Sequence, residues 1–151
     1  MDYSELFLRL GAATLAGGAI GLNRDLHGKP TGVRTLSMVS IGSALVVMAS
    51  NNFGVFEALD SGAISRTIQG VLTGIGFLGA GVIVRGGMRS TQIHGLTTAA
   101  CIWVTACLGI VCGVAAWQAL AVAMVLLFVV LLFGRPLEDA IYRRWGQPPD
   151  D

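Results

Sequence analysis

Five long apolar segments, separated by short polar stretches, account for most of the chain. A helix needs about 17–25 mostly apolar residues to cross the hydrocarbon core of a bilayer. The pattern therefore predicts an all-α integral membrane protein with five transmembrane helices. The second segment is short, so it is either extended by its flanks or partly re-entrant, and four spans plus one interfacial segment is the alternative count. The predicted spans are Leu6–Leu22, Leu36–Ser50, Thr67–Val84, Leu96–Gly113 and Ala115–Phe133.

The spacing of these segments also predicts the connections and the domain organisation. Almost nothing separates the fourth and fifth spans, so they should form a tight hairpin. Residues 1–134 are expected to form the five-helix transmembrane domain. After Pro136, Leu137, Ile141 and Trp145 recur at every fourth residue. Residues 135–151 are therefore predicted to form a short cytoplasmic amphipathic stub and a disordered tail.

The distribution of basic residues predicts the orientation. With five spans, eight of the ten Lys and Arg residues fall on one side of the membrane, and only Arg9 and Arg66 fall toward the other. Cytoplasmic loops carry an excess of Lys and Arg, so the N-terminus should lie outside and the C-terminus inside. Composition agrees with a membrane protein, because 13% of the residues are charged, against about 25% in soluble domains.

Glycine is concentrated in the third span, which is predicted to be a glycine-rich helix. Its glycines fall on two roughly opposite stripes, which indicates close helix packing on both sides. The alternative is a helix broken near Gly76–Gly81 that exposes backbone carbonyls to a substrate or ion. The first and fourth spans offer matching small surfaces. The predicted packing glycines are Gly17, Gly21, Gly70, Gly74, Gly76, Gly79, Gly81, Gly109 and Gly113.

A polar cluster at the span ends carries the candidate chemistry. Its basic residues could contact anionic lipid, each contributing about 1 kcal/mol, or form a defined anion site in which Asp25 orients an arginine. We expect Asp25 to pair with Arg24, Arg34 or a basic residue at 85–89. Arg66 and Gln69, on the outer side, could cap a cavity, bind a headgroup or anchor the helix. The candidate residues are Asn23, Arg24, Asp25, Lys29, Arg34, Thr35, Arg66, Gln69, Arg85 and Thr98.

The placement of the carboxylates disfavours several functions. All nine Asp and Glu residues lie outside the predicted spans, whereas proton pumps and many cation carriers place a carboxylate at mid-depth. The sequence contains no nucleophile–base pair, phosphate-binding loop or metal-ligand cluster. Cys101, Cys107 and Cys112 are expected to pack as small apolar residues. We therefore expect no enzymatic activity, no cofactor, no metal site and no nucleic-acid partner.

Several motifs together point to a known family. They run from Ile20-Gly21-Leu22-x-Arg24 and Lys29-Pro30-x-Gly32-x-Arg34-Thr35, through the glycine block at residues 73–83, to Gly95-Leu96-Thr97-Thr98-Ala99-Ala100. In these motifs the chain resembles the MgtC/SapB family of bacterial inner-membrane proteins, over about residues 6–133. The resemblance implies a five-span domain in the cytoplasmic membrane and a link to growth under magnesium limitation. In some members it also implies survival inside host cells and modulation of ATP synthase.

Two departures limit what the resemblance implies. Many relatives have Glu-Arg-Glu where this chain has Asn23-Arg24-Asp25, so one carboxylate is missing and the other is shorter. Many relatives also continue into a soluble C-terminal domain, and no role of that domain is carried over. The expectation is a non-enzymatic, stress-linked regulator that forms a homodimer through its glycine faces and contacts anionic lipid on the cytoplasmic side. The alternative is a transporter or channel for Mg²⁺ or another small ion through the third helix.

Overall fold

The computed structural model describes residues 2–50, 61–86 and 95–145. These residues form five α-helices, each long and apolar enough to cross a membrane. The prediction of an all-α, five-helix, multi-pass membrane protein is confirmed at this level, and the orientation of the helices in the membrane stays a prediction. The helices are α1 (Tyr3–Leu26), α2 (Val33–Ser50), α3 (Ser61–Gly86), α4 (Leu96–Gly113) and α5 (Trp117–Trp145).

The observed bounds decide between several alternatives. Helix α2 is one continuous helix of 18 residues, so the short second segment is extended by its flank and is not re-entrant. Helix α3 is likewise continuous over 26 residues, so the alternative of a helix broken near Gly76–Gly81 is not what forms. The glycines there lower the helix propensity of α3 but do not interrupt its backbone hydrogen bonds, because in lipid every backbone polar group must find a partner.

Helix α5 runs past the predicted domain boundary. It continues through Pro136 to Trp145, so the division at residue 134 does not coincide with a helix end. The predicted disordered tail, residues 146–151, lies outside the described residues. At the other end of α5, residues 114–116 form the connection to α4, and Ala115 adopts a positive φ of 57°. This is the tight hairpin that the spacing of the last two spans predicts.

The five helices differ in how deeply they are buried. Helices α1, α2 and α4 pack together around Ala16, Ile20, Leu36, Ile102 and Leu108, all of which are almost inaccessible. Helix α4 is the central one, since it contacts all four of the others. Helices α3 and α5 lie at the periphery and expose most of their apolar surface. Exposed apolar surface on the peripheral helices is compatible with a membrane, because side chains that face lipid need only be apolar.

Contacts at the helix ends give the helix directions. Arg9 of α1 reaches the Gly113 carbonyl of α4, and Arg24 of α1 reaches Thr98 of α4, so these two helices are antiparallel. Gly95 lies against Val82, which makes α3 antiparallel to α4 as well. We call the end of the bundle that contains Arg24 and Thr98 the Arg24 end, and the opposite end the Arg9 end.

The predicted packing glycines fall into two groups. A Cβ on Gly17 would lie 2.5 Å from the Leu36 carbonyl oxygen, and one on Gly113 would lie 2.9 Å from that of Ala44. Gly21 and Gly109 approach the backbone of α2 at least as closely. These four glycines therefore let α1 and α4 pack directly against α2.

The second group lies on α3. Of the predicted packing glycines on α3, Gly79 alone has its Cβ position in contact with a neighbouring helix in the described part of the chain, 3.4 Å from the Ala99 Cβ. A Cβ on each of the other four predicted packing glycines of α3 would meet no atom within 4 Å among the described residues. These positions make no packing contact among the described residues, and two of them line a groove between α2 and α3. Their role in helix packing stays a prediction. The four are Gly70, Gly74, Gly76 and Gly81.

Candidate functional site

The C-terminus of α1 places Arg24 for its interactions. The helix ends in a Schellman motif, in which the Gly28 N–H donates to the Asp25 carbonyl (3.1 Å) and the Lys29 N–H donates to the Arg24 carbonyl (3.0 Å). Gly28 adopts a φ of +63°, a conformation that glycine takes without steric cost. The motif turns the chain back over the last turn of α1, where the Arg24 side chain lies.

The loop that follows surrounds the Arg24 guanidinium with carbonyl oxygens. Its Nε donates to the carbonyls of Pro30 and Thr31, both at 3.1 Å, and its Nη2 donates to the Pro30 carbonyl at 2.6 Å. Thr31 has a φ of +64°, which costs about 1–2 kcal/mol for a residue other than glycine. Hydrogen bonds from a charged donor contribute about 1.5–3 kcal/mol each, so the contacts with Arg24 offset that cost.

The same guanidinium also reaches α4. Its Nη2 donates to Thr98 Oγ1 at 2.7 Å, and its Nη1 lies 3.4 Å from Cys101 Sγ. Arg24 is 4% exposed and Thr98 5% exposed. One side chain therefore joins the end of α1, the α1–α2 loop and the beginning of α4, and we call this set of contacts the Arg24 clamp.

The Arg24 clamp buries a positive charge without a carboxylate. Among the residues that the structure describes, no Asp or Glu forms an ion pair with Arg24. Its charge is balanced by the Pro30 and Thr31 carbonyl dipoles and by its position in the last turn of α1, where the helix dipole favours a cation. Because these contacts occupy the guanidinium, Arg24 acts as a structural cross-link and has little capacity left to bind an external anion.

Asp25 forms an ion pair with neither Arg24 nor Arg34. Its Oδ2 accepts a hydrogen bond from the Val33 N–H at 3.0 Å, which caps the first turn of α2. The Gly32 Cα approaches the Asp25 carboxylate so closely that a Cβ could not be accommodated. Within the described residues the predicted ion pair with Arg24 or Arg34 is not formed, because the carboxylate is used as a cap. The side chains of Arg85 and Arg89, the other predicted partners, lie outside the part of the chain that the structure describes.

The remaining candidates on this side contribute less to the clamp. The backbone carbonyl of Asn23 lies 2.6 Å from His27 Nδ1. Lys29 is exposed in the loop, and Arg34 and Thr35 are exposed in the first turn of α2. Arg34 and Thr35 lie at the mouth of a groove between α2 and α3. The structure thus brings Arg24 and Thr98 together and leaves Lys29 and Arg34 on the surface.

The candidates on α3 are not part of this cluster. Arg66 lies 13 residues before Gly79, or about 20 Å along the helix at 1.5 Å per residue. Both Arg66 and Gln69 are exposed, and the Gln69 carbonyl accepts a hydrogen bond from Thr73 Oγ1. Arg85 lies close to the end of α3, at a position where only the backbone is described. The predicted cluster is therefore divided between the two ends of the bundle.

At the Arg9 end, a second arginine joins α1 to α4. Arg9 pairs with Glu5, one turn earlier on α1, as the spacing of these residues predicts. Its Nη1 also donates to the Gly113 carbonyl at 2.7 Å, which gives the last carbonyl of α4 a partner. An arginine therefore fastens each end of the α1–α4 contact.

Apart from Glu5, the partners of these arginines were not predicted from the sequence. The carbonyls of Pro30, Thr31 and Gly113 carry no sequence signal, because every residue has a carbonyl. Cys101 lies one turn after Thr98, and its place on the same small, weakly polar helical face was the one available indication. The described residues contain no group of three His, Cys, Asp or Glu side chains that could hold a metal ion.

With this geometry established, comparison with known proteins identifies the family. The sequence model of the MgtC family matches residues 10–140. The chain belongs to the MgtC family. The match extends from α1 well into α5, so it includes the Arg24 clamp and all of α3.

Named relatives agree with this assignment. The chain is 46% identical to protein SrpB of Synechococcus elongatus, over 78% of this chain and 68% of the relative. It is 44% identical to YhiD of Escherichia coli K12, whose name proposes magnesium transport, over 73% of this chain and 51% of YhiD. It is 38% identical to protein MgtC of Brucella abortus, over 87% of this chain and 52% of the relative. The match thus covers about half the length of the last two relatives. No solved structure matches the chain.

Proposed function

We propose that this MgtC-family chain is a non-enzymatic regulator in the cytoplasmic membrane of a bacterium, active under magnesium limitation and stress. It works by contact with a membrane partner or lipid and does not conduct an ion. The observation that carries this proposal is the continuity of α3, which extends unbroken from Ser61 to Gly86. The helix that would have to open for an ion thus has its backbone groups engaged in the helix itself.

The surroundings of α3 support the same proposal. The groove beside it, between α2 and α3, is lined mainly by apolar side chains, and its polar groups lie mostly at one end. Mg²⁺ requires an octahedral set of oxygen ligands and sheds its water reluctantly. Of the described carboxylates, Asp2, Glu5 and Asp25 lie at or beside the ends of α1. A dehydrated Mg²⁺ ion would find no such ligand set along the described part of α3.

The exposed surfaces of α3 and α5 are where a regulator would meet its partner. On α3, Gly76 leaves open space beside Phe77, which is 80% exposed. Small residues let another helix approach closely in lipid, where packing drives association. A second copy of this chain is the partner we propose for this face, and ATP synthase is a further candidate from the family resemblance. Crosslinking in native membranes that yields only monomer would contradict the homodimer.

Magnesium transport is the second candidate, and the name of YhiD is the observation that favours it. A liposome assay separates the two functions. The purified chain is reconstituted with a Mg²⁺-sensitive dye inside, and Mg²⁺ influx is compared with that into protein-free liposomes. The matched variants are Gly76→Leu and Gly79→Leu, which add bulk to one face of α3, at an open position and at the contact with Ala99 of α4. An ionophore added at the end shows that the dye responds.

The regulator proposal predicts the same influx with and without protein, and no difference between wild type and variants. Protein-dependent influx that is selective for Mg²⁺ and abolished by Gly76→Leu or Gly79→Leu would reject it in favour of transport. Influx that is equal for wild type and variants, and unselective among ions, would indicate leakage around the protein and would leave no support for transport.

A further inference from the structure

A groove of about 560 Å³ runs between α2 and α3. Arg34 and Thr35 lie at its mouth, at the Arg24 end of the bundle, and its walls are mainly apolar as far as Val46 on α2 and Gly70 on α3. None of these features belongs to the Arg24 clamp. The groove is therefore a separate surface with a charged mouth and an apolar interior.

Three glycines keep the groove open. A Cβ added at Gly42, Gly70 or Gly74 would meet no atom within 4 Å among the described residues. All three residues line the groove, so larger side chains there would project into it. The space is thus a consequence of the sequence at these positions and follows the glycine stripe of α3.

The length of the groove matches one leaflet of a membrane. From Arg34 to Val46 is 12 residues of helix, or about 18 Å at 1.5 Å per residue. Half of a hydrocarbon core about 30 Å thick is about 15 Å. An occupant that enters beside Arg34 and ends near Val46 would therefore traverse about one leaflet.

The volume favours an acyl chain over a protein helix. A helix about 10 Å in diameter and 18 Å long fills about 1,400 Å³, more than the whole empty space of about 1030 Å³ in the groove. A helix could lie across the opening but could not insert. A lipid tail is thinner, and each methylene that enters gains contact with the apolar wall.

The mouth of the groove selects an anion. Arg34 is exposed, and it makes no hydrogen bond or ion pair with any residue that the structure describes. The hydroxyl of Thr35 lies next to it in the sequence, also at the mouth. An arginine fork fits the oxygens of a phosphate, and a phosphodiester sits at the junction of headgroup and tail in a glycerophospholipid. The positive charge at the mouth and the narrow apolar groove therefore both fit a glycerophospholipid.

We propose that this groove binds one anionic glycerophospholipid from the leaflet at the Arg24 end. One acyl chain lies between α2 and α3, and the phosphate contacts the Arg34 guanidinium. The lipid takes the side of α3 that carries Gly70 and Gly74 and leaves the Gly76 side to a protein partner. The inference rests on the proposed function in that it names one contact of the regulator, but lipid occupancy is read independently of ion flux.

The test uses photoactivatable lipids. The full chain in nanodiscs of phosphatidylcholine receives a small fraction of phosphatidylglycerol or phosphatidylcholine that carries a photoreactive group on one acyl chain. After illumination, mass spectrometry counts the labelled residues of α2 and α3. Arg34→Gln tests the mouth, with Lys29→Gln as the matched loss of an exposed charge at the same end. Gly74→Leu tests the interior, with Gly76→Leu as the matched change on the same helix.

The proposal predicts that phosphatidylglycerol labels groove residues about fivefold more than phosphatidylcholine, the effect of one arginine. Arg34→Gln should abolish that preference and Lys29→Gln should keep it. Gly74→Leu should lower labelling by both lipids about tenfold, because leucine takes the space of several methylenes, whereas Gly76→Leu should not. Equal labelling of the groove residues by the two lipids, or labelling that Gly74→Leu does not lower, would overturn the proposal. So would a covalent dimer from Gly74→Cys with no lipid label, since a second copy would then cover the groove.

Discussion

Replacement of Arg24 by lysine should destabilise the protein strongly, although the charge is kept. The guanidinium makes four hydrogen bonds to oxygen, two of them from Nε and two from Nη2, to the carbonyls of Pro30 and Thr31 and to Thr98 Oγ1. A lysine ammonium is one compact centre on a different stem, so it cannot reach the loop and α4 together.

The magnitude follows from the hydrogen bonds lost. If two of the four bonds are lost at about 1.5 kcal/mol each, the free energy of unfolding falls by about 3 kcal/mol. At about 2–4 °C per kcal/mol for a chain of this size, the melting temperature should fall by about 6–12 °C. The assay is thermal unfolding of the purified protein in detergent, followed by tryptophan fluorescence.

The matched control is Arg34→Lys, which makes the same chemical change at an exposed position in the next helix. It should change the unfolding free energy by less than about 0.5 kcal/mol, as surface substitutions usually do. Thr98→Val combined with Arg24→Lys should cost less than the sum of the two single changes, because both remove the same hydrogen bond. If the melting temperature of Arg24→Lys equals that of the wild type, or is no lower than that of Arg34→Lys, then Arg24 is not a structural cross-link.

The remaining predictions use the same unfolding assay. Gly109→Ala should lower the free energy of unfolding by about 1–3 kcal/mol, because its Cβ would overlap the backbone of α2. Gly42→Ala should leave that free energy unchanged or raise it, and equal effects of the two substitutions would contradict the packing argument. Asp25→Ala should cost about 1 kcal/mol through loss of the α2 cap, and Asp25→Asn should retain most of that stability unless the carboxylate instead forms an ion pair. Arg9→Leu should cost about 1.5 kcal/mol, because the Gly113 carbonyl loses a charged donor; a wild-type melting temperature would show that this contact is not formed.

The sequence predicted some elements well because their signals are local. Helix α4 has the bounds that hydropathy alone predicts, since glycine precedes it and Gly113-Val114-Ala115 ends it. Helix α3 begins six residues earlier than predicted, at Ser61. Its first turns carry Ser61, Ser65 and Arg66, which lower hydropathy but leave the helical backbone intact. Hydropathy therefore found the apolar part of α3 and missed the polar turns beyond it.

The candidate site was predicted less completely because its contacts are not local. Arg24, Asp25 and Thr98 were all identified as candidates, but the contacts of the first two differ from those predicted. The charge on Arg24 suggested an external anion, whereas its partners are backbone carbonyls and a hydroxyl 74 residues away. The carboxylate of Asp25 suggested an ion pair, whereas it caps α2 through the Val33 N–H. Neither partner has a signature in residue type or spacing.

The initial rate of Mg²⁺ uptake by magnesium-limited cells tests the central claim most directly. Cells that lack this chain are compared with cells that express it and with cells that express Gly76→Leu, after the same period of magnesium starvation. A regulator that binds its partner and conducts no ion should restore growth while the initial uptake rate per cell stays equal to that of the deletion strain. An uptake rate that rises with the chain and falls again with Gly76→Leu would contradict the account and assign the chain to transport.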